Sequence, residues 1–215
     1  MDNVTSAPVD PGFLVACGPV IPVIVIERLA DAVPMARALL DGGVRVLEVT
    51  LRTEAALPAI AAIAAALPDA IVGAGTVCGP DDVDAAARAG ARFIVSPGFA
   101  ISVSRACIDR GLALLPGVAT AGEVMAARAA GHRLLKFFPA VPAGGIPMLK
   151  ALGGPFPDVS FCPTGGLTAE TAASFLALPN VPVCGGSWLT PGEALAAGDW
   201  ARIQRLAEAA QRLPR

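Results

Sequence analysis

Apolar and polar residues follow two alternating periods along the chain. Short runs rich in Val, Ile and Leu, typical of strands buried on both faces, alternate with longer stretches whose apolar residues have helical spacing. The predicted strands are 20–26, 44–51, 71–77, 93–96, 112–115, 134–138, 159–162 and 181–184. The predicted helices are 29–40, 54–67, 80–89, 101–110, 121–130, 146–152, 169–178 and 199–213. Gly90 and Gly111 directly follow two of these helices, as is common at helix ends.

This succession of elements predicts an α/β protein with a (β/α)8 barrel, the TIM barrel. Eight strand–helix units follow a short N-terminal lead that has room for one helical turn. Strict alternation implies parallel pairing, and eight units of this length suit a closed barrel made by residues 1–215 as one domain. An open doubly wound sheet is the alternative, but no G-x-G-x-x-G motif follows the first strand to support it.

The composition narrows the possible functions. Apolar residues make up 54% of the chain and charged residues 16%, which is too hydrophobic for a disordered segment. The net charge of −2 provides neither a basic field for nucleic acid nor a polybasic patch for a membrane. No uninterrupted apolar run reaches the roughly 18–20 residues of a membrane span, and the first residues lack a signal-peptide pattern. Five cysteines without a C-x-x-C pair favour reduced thiols and a cytoplasmic location.

The single histidine, His132, limits the chemistry. One histidine cannot supply a His-rich metal site, and no pattern indicates a nucleotide, so no metal or other cofactor is predicted. A Ser-His-Asp triad is disfavoured, because His132 begins its strand away from the other polar residues of interest. We expect His132 to cap or leave the preceding helix in the turn Ala129-Ala130-Gly131-His132.

A lysine lies inside the apolar sixth strand. Of the 16 basic side chains only Lys136 and Lys150 are lysines, and the others are arginines, whose guanidinium does not give up its proton. Leu135 and Phe137 flank Lys136, so its charged form is costly to bury and the nucleophilic free amine is favoured. Lys136 is therefore either a nucleophile that forms a Schiff base or a structural lysine paired with a buried carboxylate.

The second strand carries charged residues on one face. Val46, Glu48, Thr50 and Arg52 share that face at period two, and such a face is not an ordinary barrel core. Glu48 and Arg52 alone could be a structural ion pair. Together with Lys136 they indicate a catalytic cluster.

Further candidates stand at the carboxyl ends of strands, where barrel enzymes form their active sites. Thr76 follows small residues at the end of the third strand, and Phe138 shares a face with Lys136. Pro97 ends the fourth strand and is included with the predicted substrate-binding residues, although Pro-Gly is also ordinary turn sequence.

The last two strands end in paired glycines. Thr164-Gly165-Gly166 follows the seventh strand and Gly185-Gly186-Ser187 the eighth, where barrels commonly hold a phosphate. An amine, a carboxylate, a guanidinium and a phosphate site suit a small phosphorylated substrate with a carbonyl group. The scarcity of histidine favours imine chemistry over a metal-enolate route.

Five motifs occur in a distinctive order from about Gly18 to the C-terminus. They are Leu47-Glu48-Val49-Thr50-Leu51-Arg52, Val72-Gly73-Ala74-Gly75-Thr76-Val77, Lys136-Phe137-Phe138-Pro139-Ala140, Phe161-Cys162-Pro163-Thr164-Gly165-Gly166 and Gly185-Gly186-Ser187-Trp188. Together they resemble the 2-keto-3-deoxy-6-phosphogluconate (KDPG) aldolases, class I aldolases of the Entner–Doudoroff pathway. The resemblance implies a trimeric barrel that cleaves this keto acid to pyruvate and glyceraldehyde 3-phosphate. Some members also split 4-hydroxy-2-oxoglutarate (KHG) to pyruvate and glyoxylate.

The resemblance also implies residue roles. Lys136 would form the imine with the C2 ketone, and Glu48 would be the general acid and base. Arg52 and Thr76 would hold the pyruvate carboxylate, and Phe138 would pack beside the imine. Thr164 would influence which aldehyde face is used. The phosphate would be bound by Gly165, Gly166, Gly186 and Ser187.

Some alternatives remain open. Val141-Pro142 stands where many relatives have an acidic residue, which would alter the rim of the site and the aldehyde preference. An aldolase acting mainly on an unphosphorylated keto acid is one alternative. The galactonate epimer is disfavoured, because relatives that use it have Pro and Asn in place of Thr50 and Arg52. A different class would be a non-catalytic phosphate-binding barrel in which Lys136 only neutralises Glu48.

Overall fold

The computed structural model describes residues 7–214, and in it the strands form a closed parallel barrel. The strands are β1 (Val20–Ile24), β2 (Val46–Thr50), β3 (Ile71–Gly75), β4 (Phe93–Val95), β5 (Ala113–Leu115), β6 (Gly117–Val118), β7 (Leu134–Phe137), β8 (Ser160–Pro163) and β9 (Cys184–Gly186). One ladder has the order β5-β4-β3-β2-β1-β9 and the other β6-β7-β8. Pro116 separates β5 from β6 within the fifth barrel strand, and a bridge between Thr164 and Gly185 joins β8 to β9. The predicted (β/α)8 barrel is confirmed.

Helices surround the barrel and close one end of it. Within the described residues they are α1 (Gly12–Ala16), α2 (Leu29–Asp41), α3 (Ala56–Ala66), α4 (Pro80–Arg88), α5 (Ile101–Asp109), α6 (Ala121–Ala129), α7 (Gly145–Gly153), α8 (Ala169–Leu176), α9 (Gly192–Ala197) and α10 (Trp200–Gln211). None of these helices has the length and apolar character needed to cross a membrane.

Two apolar layers stabilise the barrel because successive strand residues point to opposite faces. Val46 of β2 belongs to the cluster inside the barrel, together with Phe93 and Leu115. Leu47 and Val49 of the same strand belong to the larger cluster between strands and helices. The inward face above Val46 carries Glu48 and Thr50 in place of apolar residues. The same alternation therefore fills the lower barrel and leaves polar groups in its upper part.

The helical turn expected in the N-terminal lead is α1, which closes the amino end of the barrel. Leu14 is buried in the interior cluster, and the ring of Phe13 lies edge-on to that of Phe93 with centroids 6.5 Å apart. Val9 makes an isolated parallel bridge with Ala113. The carboxyl end of the barrel is thus the end left for a substrate.

The predicted last strand was misplaced. Residues 181–184 were predicted, whereas β9 is Cys184–Gly186. Pro182 has no N–H to donate, and the ladder begins only where the N–H of Cys184 bonds to the carbonyl of Pro19 at 2.9 Å. Gly185 and Gly186, expected in a loop, are therefore strand residues. The short helix α9 was not predicted, because its few residues carry little periodic signal.

Candidate active site

Lys136 and Glu48 meet inside the barrel. Lys136 lies on β7 and Glu48 on β2, and the Lys136 Nζ donates a hydrogen bond to Glu48 Oε1 at 3.2 Å. Lys136 is 4% exposed and Glu48 is 2% exposed. A buried ion pair is costly unless its geometry is good, and loss of either partner leaves an unpaired charge in the interior. Folding therefore has to offset the free-energy cost of removing both charged groups from water.

Apolar and weakly polar groups surround the Lys136 amine. The Nζ lies 5.2 Å from the centre of the Phe138 ring. Cys162 of β8 is buried and pairs in register with Lys136 of β7. Burial raises the pKa of the Cys162 thiol to about 12, while the nearby Lys136 charge opposes this rise and the Glu48 charge adds to it. The thiol is therefore neutral at physiological pH, and it adds no third charge beside the amine and the carboxylate.

Arg52 and Thr76 stand together at the rim. The Arg52 Nε donates a hydrogen bond to the Thr76 hydroxyl at 3.2 Å. Thr76 has φ of 60°, a left-handed conformation that costs a non-glycine residue about 1 kcal/mol or more. Among residues 7–214 the exposed guanidinium makes no other side-chain hydrogen bond, so its remaining N–H groups can bind an anion such as a carboxylate. Thr76 thus combines a left-handed backbone with a hydroxyl that accepts a hydrogen bond from Arg52.

The two glycine-containing segments begin at adjacent strands. Gly165 and Gly166 both have positive φ, 101° and 83°, in the loop that follows β8. Thr164, one residue earlier, bridges to Gly185 of β9. Gly186 lies so close to the Trp188 indole that a Cβ there would overlap the ring. Gly166 and Ser187 are exposed, whereas Gly185 and Gly186 are buried.

A groove of about 680 Å³ lies between the segment that follows β9 and the end of β1. Its walls include Val23, Ser187, Trp188 and Arg28. Val23 pairs in register with Glu48, although neither Glu48 nor Lys136 lines the groove itself. Arg28 is held in a side-chain ion pair with Asp31, with the Arg28 Nε 2.8 Å from Asp31 Oδ2.

Comparison with known proteins shows the family to which this chain belongs. Residues 14–206 match the family model of the KDPG and KHG aldolases. The chain is 51% identical over 193 residues to a 2-dehydro-3-deoxy-phosphogluconate aldolase of Pseudoalteromonas atlantica, covering 90% of each protein. It is 50% identical over 197 residues to the KHG/KDPG aldolase of Escherichia coli, covering 92% of each. The chain belongs to the KDPG and KHG aldolase family.

A solved structure of this aldolase family has the same fold and a covalent intermediate. The KDPG aldolase of Legionella pneumophila, with pyruvate captured at low pH as a covalent carbinolamine, superposes with a TM-score of 0.92. The two chains are 47% identical, and the match covers 94% of this chain and 98% of that one. A carbinolamine on the Legionella enzyme is the product expected when an amine adds to the pyruvate ketone.

The family's predicted site residues occupy two zones of this barrel. Lys136, Glu48, Phe138 and Thr164 lie on inward-facing positions of β2, β7 and β8 or directly after them. Five of the others are at the rim: Arg52, Thr76, Gly165, Gly166 and Ser187. Gly186 ends β9. Pro97 follows β4, and its carbonyl lies against Gly117, where a Cβ would overlap it.

Sequence reasoning missed two residues that lie beside the predicted catalytic pair. Cys162 lies beside Lys136, and Val23 lines the groove next to Glu48. Both occupy inward positions by the same period-two count that selected Glu48, so the signal was present. It was overlooked because neither residue carries a charge.

His132 lies outside this aldolase site. Its backbone N–H bonds to Ala127 at the end of α6, as the sequence indicated, but the side chain is buried. The ring Nε2 is 2.9 Å from the Ser104 hydroxyl, and Nδ1 has no partner among the described residues. Burial, and secondarily the charge of Arg133, lowers the pKa of His132 to about 4. The ring is therefore neutral in the folded protein near pH 7.

Proposed function

We propose that this chain is a class I aldolase that cleaves KDPG to pyruvate and glyceraldehyde 3-phosphate. The observation that carries the proposal is the buried contact of 3.2 Å between Lys136 Nζ and Glu48 Oε1 at the open end of the barrel. A carboxylate at this distance can accept a proton from the ammonium, which leaves the free amine that attacks a ketone.

The proposed reaction begins with that attack. The Lys136 amine adds to the C2 ketone, and the carbinolamine loses water to become a protonated imine. Glu48, directly or through water, takes the proton of the C4 hydroxyl. The electrons of the C3–C4 bond then move towards the iminium to form an enamine, and the aldehyde leaves. Glu48 returns a proton to C3, and water hydrolyses the imine to release pyruvate and restore Lys136.

Rim residues orient the keto acid for this chemistry. In the proposal the substrate carboxylate lies against the Arg52 guanidinium and the Thr76 hydroxyl, which are already joined by a hydrogen bond of 3.2 Å. Phe138 covers the amine, with its ring centre 5.2 Å from Nζ, and limits access of water to the imine. Thr164, directly after β8, would face the aldehyde half and influence which face reacts.

The phosphate of the substrate lies at the ends of β8 and β9. Backbone N–H groups and a hydroxyl bind phosphate well because they donate hydrogen bonds without steric bulk. Four residues offer them here: Gly165, Gly166, Gly186 and Ser187. We also include Pro97, which follows β4, among the residues proposed to contact the substrate.

KHG is a second candidate substrate. The observation that favours it is the 50% identity to the Escherichia coli protein that carries both names. KHG has the same reacting carbons but no phosphate, so it would use Lys136, Glu48 and Arg52 without the glycine segments. Comparison of kcat/KM for the two keto acids would rank them, and a higher value for KHG would reverse the order proposed here.

The decisive experiment is reductive trapping. Pyruvate and borohydride should leave a pyruvate-derived adduct on Lys136, located by peptide mass spectrometry, and the K136R variant should lose turnover. The K150R variant is the matched control and should retain both. A folded protein that binds phosphate but gives no adduct would instead be a non-catalytic barrel, with Lys136 serving only to neutralise Glu48.

We further propose a cytoplasmic homotrimer in which residues 1–215 form one domain. The resemblance of the five motifs to the aldolases supports the trimer. Three chains of 21.6 kDa give a particle of about 65 kDa. Light scattering coupled to size-exclusion chromatography would measure this mass, and a monomer mass would refute the trimer.

A further inference from the structure

Glycines occupy inward positions in the upper part of the barrel. Gly75 ends β3, Gly117 begins β6 and Gly185 lies in β9. A Cβ added to any of them would overlap a neighbouring group, namely the Glu48 side chain, the Pro97 carbonyl and the Thr164 hydroxyl respectively. At these three positions a neighbouring group already occupies the space that a side chain would need.

Gly75 has the most direct relation to the chemistry. It pairs in register with Thr50, whereas Glu48 pairs with Gly73, so the Glu48 side chain leans towards the carboxyl end and passes over Gly75. An added Cβ would lie 2.7 Å from Glu48 Cγ and 2.9 Å from Cδ. Because the overlap reaches Cγ, a rotation of the carboxylate alone cannot relieve it. The whole side chain would have to turn.

The requirement for glycine at this position is steric. Gly75 is not among the residues with positive φ, so alanine fits its backbone conformation. What alanine would displace is a carboxylate that is 2% exposed and 3.2 Å from the Lys136 amine. A turned Glu48 would lose that contact inside a barrel that offers little room for a new one.

Two other glycines of β3 and its following loop show that this relation is specific. A Cβ at Gly73, two residues earlier, would overlap the Phe93 ring inside the barrel, whose atoms are the nearest to it. A Cβ at Gly79, four residues later, would meet no described atom within 4 Å. Gly79 therefore provides a matched substitution in the same segment.

We propose that Gly75 is a positioning residue. Because it has no side chain, the Glu48 side chain can pass over it and keep its carboxylate beside the Lys136 amine. The proposal rests on the proposed function, because it assigns to that geometry the proton transfers of the aldolase. Gly75 contacts no reacting atom itself and acts through Glu48.

The test measures proton transfer without an aldehyde. Enamine formation exchanges the methyl protons of pyruvate with D2O, which NMR follows, and borohydride trapping reports the imine separately. G75A and E48Q should each slow the exchange by about 100-fold, the usual size of a general acid–base contribution. The G75A/E48Q double variant should be about as slow as the slower single variant, because both changes remove one function. G79A should match the wild type.

Specific outcomes would overturn the proposal. Exchange by folded G75A within about threefold of the wild-type rate, or losses that multiply in the double variant, would refute positioning through Glu48. If G75A is too unstable to assay, the loss of unfolding free energy caused by G75A must be smaller in the E48A background than in the wild type, because E48A removes the overlapping atoms. An equal loss in the two backgrounds would refute the proposal. Absence of pyruvate trapping in the wild type would refute the aldolase function itself.

Discussion

The predicted role of each site residue in this barrel depends on one specific neighbouring side chain. Lys136 and Glu48 are separated by 88 positions in the chain and meet at 3.2 Å. Arg52 and Thr76 meet at 3.2 Å across two adjacent strands. In both pairs the fold brings a charged group into contact with one partner. Because the two pairs have different proposed roles, a substitution in one pair should affect one step of the reaction more than the others.

Arg52 should affect substrate binding more than chemistry. R52Q keeps a hydrogen-bond donor but removes the charge that holds the substrate carboxylate. A charge-assisted hydrogen bond contributes about 1.5–3 kcal/mol, so KM for KDPG should rise about 10- to 100-fold. Steady-state kinetics would measure this, with R37Q on α2 as a control expected to leave KM unchanged. A fall in kcat at constant KM would contradict the assignment.

His132 should make stability depend on pH. Its pKa is about 4 in the folded protein and about 6.5 when exposed, because burial disfavours the charged ring. Between these values the unfolded chain binds a proton that the folded one does not. The stability that depends on a neutral His132 ring is therefore fully present above about pH 6.5 and is lost as the pH falls towards 4.

Urea unfolding would measure this effect. From pH 7 to pH 5 the free energy of unfolding of the wild type should fall by about 1 kcal/mol more than that of H132Q, which cannot titrate. Equal slopes for the two proteins would show that the ring is already charged, or accessible to solvent, in the folded state.

Whole elements show where sequence patterns were sufficient. α4 begins with Pro80 and ends before Gly90, and α5 ends before Gly111, as the sequence indicated. Local signals succeed there because a helix end is satisfied by residues close in sequence. The start of β9 was misplaced because it depends on which N–H first bonds to the neighbouring strand. That N–H belongs to Cys184, and it bonds to the carbonyl of Pro19, just before β1 and far away in the chain.

The helix α1 should stabilise the barrel without affecting the reaction. Leu14 is 1% exposed in the interior cluster at the end opposite the active site. L14A should lower the free energy of unfolding by about 3 kcal/mol through lost burial and a cavity, with KM unchanged. The control M125A changes a side chain that is 62% exposed and should alter stability by less than about 0.5 kcal/mol. An L14A effect as small as that of M125A would show that α1 does not close the barrel.

The whole barrel places the two halves of the proposed site on different ladders. Lys136 belongs to the ladder β6-β7-β8, whereas Glu48 belongs to β5-β4-β3-β2-β1-β9 and Arg52 follows β2. The bridge between Thr164 and Gly185 is the pairing recorded between β8 and β9 in the described residues. A pyruvate joined to Lys136 and held by Arg52 would therefore link the two ladders.

Pyruvate should accordingly stabilise the folded protein. At a concentration 100 times its dissociation constant, the gain should be about 2.7 kcal/mol in the free energy of unfolding. Lactate has the carboxylate but no ketone, so it is the matched control and should stabilise much less. Unfolding in urea with each ligand would measure the difference, and equal stabilisation by lactate would argue against an imine.

The order of strands and helices and the reactive groups were readable from the sequence. Periodicity shows which face a residue occupies, and a lysine within an apolar strand is conspicuous without any neighbour. The meeting of Lys136 with Glu48, the overlap that requires Gly75 to lack a Cβ, and the late start of β9 emerged only from the folded barrel. These features depend on register and closure, which are set by the packing of all the strands together, and no local stretch of residues contains that information.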